Sequence, residues 1–177
     1  MAILDILIYP DPRLREVAKS VAKVDAGVRR IVDDMAETMY AAPGVGLAAN
    51  QVGIPLRIFI IDIAGEDEPS DLRVFINPEI LETEGSQTWN EGCLSFPEVN
   101  QEIKRAAWVR ARALDLSGKP FEIEAEGLLA VAIQHENDHL DGVLMIDKLT
   151  ALKRRLVGRK MAKRQLEGKR SQAGREA

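Results

Sequence analysis

The chain has 177 residues, of which 46% are hydrophobic and 29% charged, with a formal net charge of −4. One globular domain fits these values, and no apolar run approaches the roughly 18 residues that a membrane span needs. Since the only cysteine cannot form an internal disulfide, and the N-terminus lacks the basic segment of a signal peptide, we expect a cytoplasmic protein.

The first predicted element is a helix at about residues 25–41. Asp25 is a favourable N-cap residue, and Pro43 with Gly44 ends the helical pattern. The apolar residues that repeat at helical spacing, and that we expect in the core, are Val28, Ile31, Val32, Met35 and Met39.

Four later segments have the composition of β-strands. LRIFIIDI (56–63) and LRVFINPEI (72–80) are rich in branched and aromatic residues and are bounded by turn-forming residues. AAWVRARALDL (106–116) and FEIEAE (121–126) flank a turn at 117–120, which predicts a hairpin and an antiparallel sheet.

A second helix is predicted from Leu128, where the apolar period changes. Leu128, Val131, Ala132 and His135 share one helical face, and Gly142 ends the helix. Because the runs of strands precede this helix, the predicted fold class is α+β.

This second helix carries QHENDHLDG (134–142), which contains both histidines of the chain. At i and i+4, His135 and His139 project from one face, close enough to share a metal ion, while Glu136 is turned aside and is free to move protons. This H-E-x-x-H arrangement is a known zinc-hydrolase signature. The alternative is a pair of core histidines that only hydrogen-bond within the fold, and the intervening acid favours a metal.

A third ligand is needed for such a site, and Cys93 in EGCLSFP (91–97) is the best candidate. Its thiolate would bind iron, zinc, cobalt or nickel beside imidazoles. A lone cysteine is otherwise often a small buried hydrophobe. The acidic residues Asp141, Asp147 and Glu167 follow the histidines but lack a distinctive setting.

Three motifs together resemble those of a known family. GVGLAANQ (44–51), EGCLS (91–95) and QHENDHLDG (134–142) match, in order and spacing, the signature motifs of bacterial peptide deformylases, and YPDPRLR (9–15) is similar to the family's N-terminal segment. The resemblance implies an α+β domain with twisted antiparallel β-sheets around a central metal-binding helix, and a C-terminal helix. It also implies that Cys93, His135 and His139 bind Fe²⁺, with zinc, nickel or cobalt as replacements, and that the substrate is an N-formylmethionyl nascent polypeptide.

Hydrolysis of a formamide needs a nucleophile stronger than water, which a divalent metal supplies as bound hydroxide. Glu136 would take a proton from that water and return it to the departing amine. The side chain of Gln51 and the backbone N–H of Leu94 are the expected donors to the oxyanion.

The substrate cleft is expected beside the same motifs. Val45 and Gly46, with Gly92 and Leu94 opposite, would pair with an extended peptide as an added strand. The apolar residues expected to form the pocket for the formylmethionine side chain are Trp89, Leu128, Val131 and Ala132. Some family members have a basic residue soon after the second motif, but residues 99–101 here are Val, Asn and Gln, so we infer no such contact.

Two other functional classes are alternatives to a deformylase: a metallopeptidase, and a module in which metal only stabilises the fold. A cysteine ligand argues against the peptidase because its electron donation weakens the metal as a Lewis acid. Three ligands plus Glu136 argue against a structural site, because structural zinc sites are closed by four ligands.

The C-terminus differs from the rest of the chain in charge. Residues 1–152 have a net charge of −12 and residues 153–177 one of +8, so we predict a single domain made of a catalytic body and a basic C-terminal helix. The segment 168–177 is expected to fray because it has too little apolar content to pack. The residues expected on one apolar stripe of the helix are Leu149, Leu152, Leu156, Val157 and Met161.

A basic amphipathic helix is either a solvated surface or a binding element for a phosphate-rich partner. The stripe has no Trp or Phe to anchor it in lipid, which argues against a membrane. The resemblance implies docking to ribosomal RNA and protein near the tunnel exit. We expect a monomer, with neither DNA nor a membrane as partner.

Overall fold

The computed structural model describes residues 2–176, which form seven strands and three α-helices. The helices are α1 (Ala26–Ala41), α2 (Gly127–Leu140) and α3 (Ala151–Glu176). The strands, in chain order, are β1 (Gly46–Ala48), β2 (Ile58–Ile61), β3 (Arg73–Glu84), β4 (Gln87–Cys93), β5 (Phe96–Arg105), β6 (Trp108–Leu114) and β7 (Pro120–Glu126). Within 2–176, no helix is both long enough and apolar enough to cross a membrane.

Five strands form one antiparallel sheet in the order β1-β2-β3-β6-β7. The predicted strands at 56–63, 72–80, 106–116 and 121–126 are all present, and the last two pair as the predicted hairpin from Trp108↔Glu126 to Leu114↔Pro120. β2 is shorter than predicted, and β3 extends to Glu84. The predicted α+β class with an antiparallel sheet is therefore confirmed.

A separate two-stranded sheet, β4–β5, was not predicted from the sequence, and neither was the short edge strand β1. β4 and β5 pair from Gln87↔Arg105 to Cys93↔Phe96, with a tight turn at Leu94 and Ser95. β5 buries Phe96, Val99 and Ile103 in an apolar cluster formed with the N-terminal segment and the residues that follow α2. This ribbon positions the EGCLS motif beside α2.

Helix α1 forms as predicted. The side chain of Asp25 accepts a hydrogen bond from the backbone N–H of Val28 at 3.0 Å, which satisfies one free donor of the first turn. The buried face of α1, which packs with Ile58, Ile60 and Ile76 of the sheet, consists of Val28, Val32, Met35 and Met39.

Helix α2 packs one face on the five-stranded sheet, where Ala130, Ile133 and Leu140 join a core that includes Phe59 and Phe75. Its end is fixed by Gly142, which has φ +72°, and a Cβ there would lie 2.5 Å from the carbonyl oxygen of Arg15. The face of α2 that does not pack on the large sheet carries the two histidines toward β4.

Helix α3 differs from its prediction in one respect. Leu149, Val157 and Met161 are buried against Phe96, Val99 and Ile103 of the body, but Leu152 and Leu156 are 65% and 53% exposed, so the expected single stripe is wrong. Helix α3 continues to Glu176, with exposed side chains from Ala162 through Arg175, and the expected fraying after residue 168 stays a prediction. Packing therefore joins α3 to the body as far as Met161.

Candidate metal and catalytic site

Three ligand-type side chains converge between the two sheets. Cys93 ends β4, while His135 and His139 lie one turn apart on α2. The Nε2 atoms of the two histidines are 3.2 Å apart, and Cys93 Sγ lies 3.4 Å from Nε2 of His139. The donor atoms of all three residues lie within 4.8 Å of one another. The predicted ligands are thus brought together, with His139 1% and His135 8% exposed.

The orientation of His135 is set by a carboxylate. Its Nδ1 lies 2.9 Å from Oε1 of Glu91, so in the neutral ring Nδ1 would carry the proton and Nε2, which faces His139, would be free to bind a metal. Two Nε2 atoms and a sulfur directed at one point fit a single metal ion of the kind that imidazoles and thiolates bind.

The pKa values of the two histidines are shifted in opposite directions. Burial lowers the pKa of His135, but hydrogen bonds with Cys93 and Glu91 outweigh it and raise the pKa well above its usual value. Burial and the charge of His135 hold the pKa of His139 well below its usual value. A positive charge on His135 is therefore favoured by its partners and opposes a second one on His139.

Glu91 is itself held by a buried arginine on β5. Arg105 donates from Nε and Nη2 to the two oxygens of Glu91 at 2.7 and 3.0 Å, and from Nη1 to Asp138 of α2 at 2.9 Å. Burial raises the pKa of Glu91, but its bonds with His135 and Arg105 outweigh burial and lower it. Glu91 is therefore a carboxylate that can hold His135 in place.

Sequence reasoning missed this network of Glu91, Arg105 and Asp138. Charged residues are usually solvated, and these three are 14 and 33 positions apart, so no local pattern joins them. The one available signal was the two-residue spacing of Glu91 and Cys93, which places both side chains on the same face of a strand.

Glu136 faces the site from α2 and is 5% exposed. Among the described residues its Oε2 has no hydrogen-bond partner, and burial raises its pKa to about 7. A Cβ on Gly46 would lie 2.6 Å from its Oε1, whereas one on Gly44 would lie 2.7 Å from Leu94. The two glycines of the GVG motif therefore leave room for a buried carboxylate and for the turn after Cys93.

Gln51 lies directly beside the ligand set and is 1% exposed. Its Oε1 accepts from the backbone N–H of Ala48 at 3.0 Å, so its amide nitrogen points toward Ser95 Oγ at 3.0 Å and Cys93 Sγ at 3.5 Å. Ser95, which the sequence reasoning did not single out, is fully buried and orients this amide.

These residues open onto one cavity of about 640 Å³. Cys93, His135 and Glu136 contribute to its wall, whereas His139 lies behind them. The other predicted site residues that line it are Val45, Gly46, Gln51, Trp89, Gly92, Leu94, Leu128, Val131 and Ala132. β1 is an edge strand of the large sheet, so its unpaired side is available to an extended chain in this cavity.

Comparison with known proteins agrees with this arrangement. The family model described as polypeptide deformylase matches residues 3–155. The peptide deformylase of Alkalilimnicola ehrlichii is 56% identical over 169 residues, covering 96% of this chain and 94% of that protein. The corresponding protein of Polynucleobacter necessarius is 55% identical over 168 residues, covering 94% and 97%.

Solved structures give the same result. The crystal structure of a peptide deformylase from Legionella pneumophila superposes with a TM-score of 0.88 at 47% identity, covering 97% of this chain and 98% of that one. Sequence, fold and the grouping of the three motifs therefore agree over nearly the whole length. The chain belongs to the polypeptide deformylase family, the enzymes that remove the N-formyl group from newly made polypeptides.

Proposed function

We propose that Cys93, His135 and His139 hold one divalent metal ion, natively Fe²⁺, with zinc, nickel or cobalt able to replace it, and that Glu136 moves the protons of the deformylation reaction. The observation that carries this proposal is the convergence of one sulfur and two imidazole nitrogens within 4.8 Å, beside a buried carboxylate with an unpartnered oxygen. When bound, such an ion lowers the pKa of water toward neutrality and polarises a carbonyl group.

Glu136 has the properties of a proton carrier. Its pKa of about 7 lies near the working pH, where a group can both accept and release a proton efficiently. In this proposal an oxygen of Glu136 takes a proton from the attacking water and later delivers it to the amine that leaves. No second acid is then needed.

Gln51 and Leu94 are proposed to stabilise the oxyanion of the tetrahedral intermediate. The amide N–H groups of Gln51 are already directed toward Cys93 by the bond from Ala48 to its Oε1. The backbone N–H of Leu94 follows the ligand Cys93 directly in the chain. Donors fixed before the reaction stabilise developing charge without reorganisation.

The peptide is proposed to bind as an extended strand between β1 and the β4–β5 ribbon. Val45 and Gly46 would pair with one side of its backbone, and Gly92 and Leu94 with the other. Main-chain pairing accepts many sequences. The apolar walls proposed for the formylmethionine side chain are Trp89, Leu128, Val131 and Ala132, all of which line the cavity.

We further propose that α3 binds the ribosome near the tunnel exit. Leu152, Leu156 and Leu166 are 65%, 53% and 58% exposed on a segment whose net charge is +8 over residues 153–177. An apolar and basic surface suits a particle of RNA and protein. A monomer is proposed because one chain supplies every residue of the site, and a cytoplasmic location because formylated chains are made there.

One experiment tests the central proposal. Protein purified without oxygen should contain about one metal ion per chain, as a single-ion site requires, and should release formate from a formyl-Met-Ala-Ser peptide. Chelation should abolish formate release, and added Fe²⁺ should restore it. Full activity of metal-free protein would contradict the proposal.

A further inference from the structure

One face of β4 and one face of α2 meet in a regular series of contacts. Cys93 contacts His139, Glu91 contacts His135, and Gln87 contacts the carbonyl oxygen of Gly127. Two residues of a strand advance about 6.6 Å and four residues of a helix about 6 Å, so these steps stay in register. The same spacing would set Trp89 opposite Val131, and both residues line the cavity.

Gln87 is the outermost member of this series, and its side chain is fully hydrogen-bonded. Its Nε2 donates to the carbonyl oxygens of Ala106 and Gly127 at 3.2 and 3.1 Å. Its Oε1 accepts from the indole Nε1 of Trp89 at 2.9 Å. Because an indole only donates and the two carbonyls only accept, the amide can have just one orientation.

Trp89 needs such a partner because it is 37% exposed where it lines the cavity. A half-exposed aromatic side chain has several accessible rotamers, and a hydrogen bond to a fixed acceptor selects one of them. The acceptor, Oε1 of Gln87, is fixed because Nε2 of the same amide binds the carbonyl oxygen of Gly127, directly before Leu128. The Gln87 amide therefore links the Trp89 ring to the first turn of α2. Two walls of the apolar pocket are therefore held at one separation.

We propose that Gln87 is a positioning residue that fixes the indole of Trp89 as a wall of the pocket for the N-terminal side chain, and so determines the preference for methionine. This inference rests on the proposed function of the cavity. A flat ring held in place makes favourable contacts with an unbranched thioether. A ring that turns freely leaves room for branched side chains and must be ordered when substrate binds.

The test compares kinetics with formyl-Met-Ala-Ser and formyl-Leu-Ala-Ser. Gln87→Met keeps the length of the side chain but removes all three bonds, and should raise KM for the methionine peptide about three- to tenfold with little change in kcat. The preference for methionine over leucine should fall by a similar factor. Gln134→Met is the matched control, since the hydrogen bonds of Gln134 go to the backbone of Ala106 and Ala130 and not to Trp89.

A double-mutant cycle separates positioning from general stability. Trp89→Phe keeps an aromatic ring without the indole N–H, so Gln87→Met in this background should not lower the preference further. An equal effect in both backgrounds, or a Gln134→Met variant with the same loss of preference, would overturn the inference.

A fluorescence measurement checks the same contact without turnover. The chain has two tryptophans, so in a Trp108→Phe background Trp89 is the only emitter, and Gln87→Met should increase quenching of its emission by acrylamide. Unchanged quenching would contradict the inference. Wild-type protein that releases no formate would instead overturn the proposed function, whatever the fluorescence shows.

Discussion

Gly46 lies so close to Glu136 that a Cβ on the glycine would be 2.6 Å from the carboxylate oxygen Oε1. Gly46→Ala should therefore displace the carboxylate while leaving the three ligands in place. A displacement of about 1 Å can cost about 100-fold in rate, so we expect kcat to fall by that order with normal metal content. Gly158→Ala, where an added Cβ meets nothing within 4 Å, is the control and should keep full activity. Wild-type kcat in Gly46→Ala would show that the position of this carboxylate is not critical.

Glu136→Gln should separate chemistry from metal binding. The amide has nearly the same size as the carboxylate but cannot carry the proton, and such groups contribute about 10²- to 10⁴-fold to rates. We expect formate release to fall within that range while metal per chain stays at the wild-type value. Metal loss as severe as that of His139→Ala would mean that Glu136 is a ligand.

Cys93→Ala should impair metal retention, because it removes one of three proposed donor atoms. The measurement is metal per chain after gel filtration in the presence of a weak chelator. Ser95→Ala, two residues away, tests whether any change in this turn has the same effect, and it should retain metal. Peroxide should also inactivate the iron-loaded protein through the metal or the thiolate. Full occupancy in Cys93→Ala would require another third ligand.

Two truncations of α3 should behave differently. Removing residues 166–177 deletes only exposed side chains among the described residues, so peptide deformylation and thermal stability should stay near wild type. Removing residues 153–177 also deletes Val157 and Met161, whose burial contributes about 2 kcal/mol each, and the bond from Lys160 to the carbonyl of Glu98 in the cavity wall. This longer truncation should lower the melting temperature and activity together. Equal stability of the two truncations would contradict this reasoning.

Ribosome binding is tested with substitutions that preserve the fold. Charge reversal at the exposed residues Arg155, Arg159 and Lys163 should abolish co-sedimentation with ribosomes at low salt and leave small-peptide activity intact. Reversal of the exposed body residues Lys23, Arg30 and Lys119 to glutamate is the control, because it makes the protein more negative by the same amount away from α3. Unchanged co-sedimentation of the α3 variant would exclude this surface.

Acid should weaken the contact between Arg15 of the N-terminal segment and Asp147, in the turn between α2 and α3. Burial raises the pKa of Asp147, but bonds from Arg15 and the backbone of Leu144 outweigh it and lower the pKa. A carboxyl with a lowered pKa in the folded state stabilises the fold above its unfolded pKa of about 3.9 and loses that contribution as pH falls through the folded value. Asp147→Asn should therefore lower the melting temperature at pH 7 and have less effect near pH 3. An equal difference in melting temperature between Asp147→Asn and wild type at both pH values would contradict this role of Asp147.

Local signals were sufficient for the helices and for the large sheet. Asp25 and the apolar spacing after it predicted α1, and the change of period at Leu128 predicted α2 within one residue. The strands β4 and β5 were not predicted because some of their residues belong to the candidate site and others to the apolar core. Trp89, Glu91 and Cys93 alternate along one face of β4, but a Trp, a Glu and a Cys do not form an apolar alternation.

The metal ligands were predictable because they lie in recognisable motifs, whereas the residues that hold these ligands in place were not. Arg105 and Asp138 act through contacts that only the folded chain creates.

The apolar stripe expected on α3 combined residues from two different faces of the helix. Leu156 and Val157 are neighbours about 100° apart on a helix, so only one of them can point to the body.

Side chains two residues apart on β4 meet residues four apart on α2. The number of residues in β4 should therefore matter more than the identity of each exposed one. Gln87, Trp89, Glu91 and Cys93 all face α2 because the strand alternates, while Thr88 between them is exposed. Inserting one residue after Thr88 would turn Gln87 away from α2, or else turn Trp89, Glu91 and Cys93 away together. An inserted residue in this short strand should therefore be far more damaging than substitution of Thr88, even though both changes occur at the protein surface.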